Sequence, residues 1–121
     1  MSFETYKIIH MLGLAFLMLG LGGVLFAFAT SAIVPAKVKL LGFAIHGVGL
    51  LLIIISGFGM AARLGFMQGL PGWLYGKLAI WVLLALGVSL AKRKANNAGL
   101  IVVLFAALVG IAAWLALTKP F

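Results

Sequence analysis

The chain has 121 residues, of which 66% are hydrophobic and only 8% charged, with nine Lys/Arg against one Asp/Glu. A soluble domain carries about 25% charged residues, so a water-facing globular fold is excluded. At ~20 residues per bilayer crossing, four helices take ~80 residues and leave ~40 for ends and loops. The expectation is one membrane domain over residues 1–121, an all-α antiparallel bundle of four transmembrane helices.

The first apolar run covers about Ile8–Thr30. It is longer than the 7–15-residue apolar stretch of a secretory leader, and few basic residues precede it. It therefore reads as a span. Pro35, Lys37 and Lys39 separate it from the second run, about Leu40–Ala62. The segment Arg63–Tyr75 follows, with Pro71 and three glycines, and reads as a loop. The third run is about Gly76–Ala91 and ends at Lys92-Arg93-Lys94; the fourth is about Ala98–Leu117. None alternates at period two, as a membrane strand would.

Basic residues set orientation. Lys37, Lys39, Lys92, Arg93 and Lys94 fall on one side, and Lys7, Arg63, Lys77 and Lys119 on the other. The first side is expected to be cytoplasmic, with both termini periplasmic, as for a multipass protein of a bacterial inner membrane. Tyr6, Trp73, Tyr75, Trp114 and Phe121 gather on the terminal side, at headgroup level. A net charge of +8 reads as headgroup contact and not as nucleic-acid binding, since no basic run or basic–aromatic motif occurs.

Small residues recur along three runs: His10, Gly13, Leu17, Gly20, Val24, Ala27 and Ser31 in the first; Gly42, His46, Gly49, Ile53, Ser56 and Met60 in the second; Gly99, Val103, Ala106, Gly110 and Ala113 in the fourth. Lipid gives helices no hydrophobic reason to meet, so close approach through small residues supplies the contact. These stripes are expected to face the bundle interior. Helix three has a weaker stripe in Gly76, Leu83 and Gly87. Glycines on outer faces leave a homo-oligomer or a larger membrane complex open.

Chemistry has few carriers. No cysteine is present, which excludes disulfides, iron–sulfur clusters and thiolate chemistry. Glu4 is the one acid, so paired-carboxylate catalysis, a carboxylate cation site and a buried acid relay are excluded too. The same poverty disfavours a channel or transporter. Three ionisable residues remain inside the spans: His10, His46 and Lys77. Taking helix one to end near Ala32 and helix two to begin near Val38, the histidines sit ~33 Å and ~12 Å from one membrane side. One haem iron cannot reach both. Lys77 opens helix three at the depth of His10, and a lysine held among apolar groups needs an anionic partner. A haem propionate, a headgroup phosphate or an acidic substrate would supply one. The alternative is a lysine that snorkels to the headgroups beside an interfacial histidine. For His46, Ser89 is the expected polar neighbour, with a backbone carbonyl as the other choice; the functional alternative is an axial ligand for a second cofactor or a proton-carrying group.

Four segments resemble a known group of small membrane proteins. Tyr6-Lys7-Ile8-Ile9-His10 is similar to its Lys-x-x-His opening. Pro71-Gly72-Trp73-Leu74-Tyr75-Gly76-Lys77-Leu78 is similar to its Trp-Leu-x-x-Lys-Leu start of helix three. Ser56-Gly57 and Leu90-Ala91-Lys92-Arg93 resemble the SirB family in particular. The wider group includes HemJ-type protoporphyrinogen oxidases and CopD copper-resistance proteins. The HemJ resemblance implies b-type haem, with His10 at the iron and Lys77 as an important partner. That type carries an Arg near the far end of helix one, where this chain has Ala27-Phe28-Ala29, which argues against porphyrinogen oxidation. The SirB resemblance implies only a multipass membrane protein. The expectation is therefore a small inner-membrane protein with no assigned enzymatic activity, whose cofactor, if it binds one, is b-type haem at the terminal-side mouth. The alternative is a cofactor-free accessory or assembly subunit of a larger membrane complex.

Overall fold

A computed structural model describes residues 2–31 and 33–119, with Met67 through its backbone alone. Four helices follow one another: α1 Phe3–Thr30, α2 Ala36–Arg63, α3 Gly72–Arg93 and α4 Ala98–Thr118. Single 3₁₀ turns at Phe66–Gln68 and Ala95–Asn97 lie between α2 and α3 and between α3 and α4. Among the described residues there is no strand. Each helix is long and apolar enough to cross a bilayer, so the chain is a four-helix membrane bundle. Its termini and the α2–α3 connection share one end, here the terminal side, and the other two connections form the loop side.

Local chemistry sets the boundaries. Ser2 caps α1, its hydroxyl accepting from the Thr5 N–H at 3.2 Å. Pro35 and Pro71 stand immediately before α2 and α3, where a missing N–H costs nothing. Gly65, at φ 79°, turns the chain out of α2 in a conformation side chains resist. Lys92 and Arg93 close α3, where basic groups complement the helix dipole. The helices exceed the apolar runs because capping and backbone bonding continue past the hydrocarbon. The clearest difference is Gly72–Tyr75, expected in the loop but forming the first turn of α3. The helix starts directly after Pro71, and Trp73 is buried against Phe66, with ring centroids 6.1 Å apart. Lys119 places its ammonium 5.6 Å from the Trp73 ring. Ala32 and Phe121 lie outside the described residues.

The α1–α2 hairpin is the tightest contact in the bundle. A Cβ on Gly20 would strike the backbone of His46, and one on Gly49 the backbone of Leu17. A Cβ on Gly13 would meet Leu52 and Ile53, and Gly42 accommodates the Val24 side chain. The pairings Gly13–Ile53, Leu17–Gly49, Gly20–His46 and Val24–Gly42 keep one register along the seam. Backbones approach this closely only where side chains are absent. The inward stripes expected in α1 and α2 are thus present over Gly13–Val24 and Gly42–Ser56, while Ser31 lies exposed beyond the helix.

Helix α4 does not follow its expected stripe. Gly99, Val103, Ala106, Gly110 and Ala113 are all exposed, and Ile101, Phe105 and Leu115 face inward. The reason lies in α3, which carries the gaps that α4 fills. The Phe105 ring sits over Gly87, and Leu115 over Gly76. Large-into-small packing replaces small-against-small. Leu83, the third member of the α3 stripe, faces out.

The two ends of the bundle differ. On the loop side Leu17, Leu21, Leu25, Ala91, Ile101 and Phe105 form a closed core. On the terminal side the helices part. Helix α4 touches α1 only sparingly and does not meet α2 among the described residues.

Candidate functional site

The parting leaves a cavity of about 470 Å³ on the terminal side, with walls from all four helices. That lies within the ~300–1,000 Å³ of small-molecule sites. Its surface is apolar: Leu14, Ile53, Leu78, Leu84 and Val109 are typical. Lys7, His10 and Lys77 supply the charge and the ring nitrogen, and Trp81 closes one wall.

His10 is held by α2. Its Nδ1 lies 3.0 Å from the Ser56 hydroxyl. That hydroxyl donates to the Leu52 carbonyl at 2.5 Å, with the Ile53 carbonyl at 3.2 Å. The hydroxyl has one hydrogen, and the carbonyl can only accept. Ser56 therefore accepts from His10, which assigns the proton to Nδ1 and the free lone pair to Nε2. Ser56 is fully buried, so the ring's orientation is fixed from inside the bundle. This is the way metal-ligating histidines are held, with one nitrogen tied to a protein group and the other free.

Lys77 comes to the same cavity from α3. The Trp81 Nε1–H donates to the Leu50 carbonyl at 3.1 Å, and in the hairpin register Leu50 is level with Phe16. Lys77 lies one turn toward the terminal side, within ~3 Å of His10 along the bundle axis. Lys7 stands one turn before His10 and is exposed at the cavity's outer end. Glu4 is exposed and lines no part of the cavity. Two ammonium groups and an imidazole thus share an apolar space whose described lining residues include no carboxylate.

His46 lies elsewhere. It is level with Gly20, ten residues along the seam from the level of His10, or ~15 Å. It is 2% exposed and lines no cavity. Its Nδ1 donates to the Leu17 carbonyl at 3.1 Å, and Nε2 is buried without a partner. Ser89, its expected neighbour, is exposed on α3. The α1–α2 seam encloses His46, so the acceptor it meets is a carbonyl of α1 and not a side chain of α3.

The sequence placed His10 and Lys77 at one depth, and both line the cavity. It missed Ser56 as the partner of His10, and Lys7 and Trp81 as wall residues. The signals were present: Ser56 shares a stripe with His46, Lys7 precedes His10 by three residues, and Trp81 follows Lys77 by four. Among the described residues no three His, Cys, Asp or Glu side chains cluster to hold a metal ion. A metal here would have to bring most of its own ligands.

No protein-family model, curated protein or solved structure matches this chain.

Proposed function

We propose that the chain binds b-type haem in the terminal-side cavity, with His10 as iron ligand through Nε2 and Lys77 facing a propionate. The observation that carries this reading is the His10–Ser56–Leu52 relay. It fixes the ring of a histidine that lines an apolar cavity, beside two ammonium groups with no carboxylate among the described lining residues. Haem brings four nitrogen ligands of its own, so one protein ligand suffices where no three-residue metal cluster exists. Lys7, at the outer end, is placed for the second propionate. The bound group would supply one-electron chemistry. The protein's part is to fix the ring, neutralise the carboxylates and keep water from the apolar wall. The resemblance to the HemJ type points the same way, through its helix-one His and helix-three Lys. The missing Arg speaks against porphyrinogen oxidation, so no enzymatic step is assigned.

The reading includes a bacterial inner membrane with both termini periplasmic, from the distribution of basic residues. A reporter fused to the C-terminus should give a periplasmic signal, and a cytoplasmic one would reverse the orientation. The visible spectrum of the protein purified in mild detergent, oxidised and then dithionite-reduced, tests the ligand. A Soret band that shifts on reduction is expected; a preparation that stays colourless with added haemin would sink the proposal.

One observation favours a second reading. The outward stripe of α4 leaves Gly99 and Gly110 with open space where inner glycines seat a neighbour. Small-residue faces receive partner helices in membranes. A cofactor-free subunit docked through α4 would give no Soret band and would co-purify with its complex.

A further inference from the structure

We infer that the cavity exchanges its occupant with the bilayer, sideways, between α4 and the α1–α2 hairpin. The inference rests on the cavity being a ligand site, as proposed above, and assigns the class of ligand it takes. That class is an amphiphile already dissolved in the membrane, with an anionic group on an apolar body.

The wall residues show where the cavity opens. Lys7 and Met11 on α1, Phe58 on α2, and Ala113 and Leu117 on α4 are exposed, Met11 by 64% and Leu117 by 85%. Every wall residue contributed by α3 is buried or half-buried. The opening therefore faces away from α3, and α4 is the helix that stands apart. Toward water, the ends of the two helix pairs are packed. The Tyr6 ring lies on Gly59 and closes the α1–α2 seam. Trp73, between Phe66 and Lys119, closes the end of the α3–α4 pair.

Depth fits the same ligand. Met11 and Ala113 lie within spans, so their exposure is exposure to lipid. Lys7 is about one turn nearer the membrane surface, and Leu84 and Val109 lie toward the bilayer centre. An occupant that slid in from the bilayer would keep its anionic end at Lys7 and Lys77 and its apolar end below. A water-borne anion would meet a wall that is almost wholly apolar.

The absence of cysteine makes a direct test simple. Substituting Met11→Cys and Ala113→Cys allows a bis-maleimide to tether α1 to α4 across the opening. With Trp73→Phe and Trp114→Phe, Trp81 becomes the single fluorophore. In vesicles of brominated phosphatidylcholine, without haem, Trp81 emission should be quenched, and the tether should relieve most of that quenching. Iodide in the water should leave emission unchanged. Each single-cysteine protein, treated with the same reagent, should stay quenched. Bromolipid quenching that the tether does not relieve, or quenching by iodide, would overturn the lateral route. Because no haem is present, a lateral route together with a colourless protein would refute the haem proposal alone.

Discussion

The two ends of the bundle each hold a histidine, and the surroundings give the two rings opposite prospects. On the loop side His46 lies in a seam where the backbones of α1 and α2 nearly touch, and its Nε2 faces packed protein. On the terminal side His10 makes the same kind of Nδ1 bond, through Ser56, but its ring lines a 470 Å³ space. The chemistry of the side chain is identical in the two places. What differs is the packing partner. Glycines let α2 close over His46, while the divergence of α4 leaves His10 a cavity. An ionisable residue in a span is thus a weak indicator by itself, and the local packing decides whether it can take a ligand.

Substitutions should separate the two ends. The largest effect is expected at the seam. Gly20→Leu forces a side chain into the His46 backbone and should destabilise the protein by more than about 3 kcal/mol. Gly23→Leu, on an open face of the same helix, should leave the melting temperature in detergent nearly unchanged. Equal melting of the two variants would mean the close seam is not what holds the hairpin. Next comes a pair of core truncations. Phe105→Ala empties the site over Gly87 in the closed half and should cost about 2–4 kcal/mol, mostly as lost packing contact. Leu14→Ala only widens an existing cavity and should cost less than about 1 kcal/mol. The comparison fails if Leu14→Ala is the more damaging. The smallest effect concerns orientation. Ser56→Ala removes the acceptor for His10 Nδ1–H and should weaken haem affinity by about 10–100-fold in a haemin titration, as for other ligand-orienting partners. Affinity equal to wild type would mean the relay does not position the ring.

The sequence displays the four spans plainly, because membrane helices need continuous apolar runs and this chain has four. It also reveals the α1–α2 seam, because glycine and serine at heptad-like spacing have few other uses in lipid. Helix α4 reads wrongly for a physical reason. Its small stripe and its large stripe are both regular, and the choice between them depends on Gly76 and Gly87 of α3, which accept the large side chains. Such pairing between helices leaves no mark in either sequence alone. The site is legible in the same partial way. Depth counting brings His10 and Lys77 together, since rise per residue is fixed. Ser56 escapes because its role depends on hairpin register, which the turn around Pro35 sets. The cavity itself comes from α4 standing away from its neighbours, and composition carries no trace of that.

The most direct test of the contrast between the two ends is a haemin titration of His10→Ala and His46→Ala, followed by the Soret band in detergent. The expected result is no band for His10→Ala. His46→Ala, although less stable, should still show the wild-type spectrum wherever it remains folded by circular dichroism. Loss of the band from both folded variants, or from His46→Ala alone, would contradict the assignment of the ligand site to the terminal end.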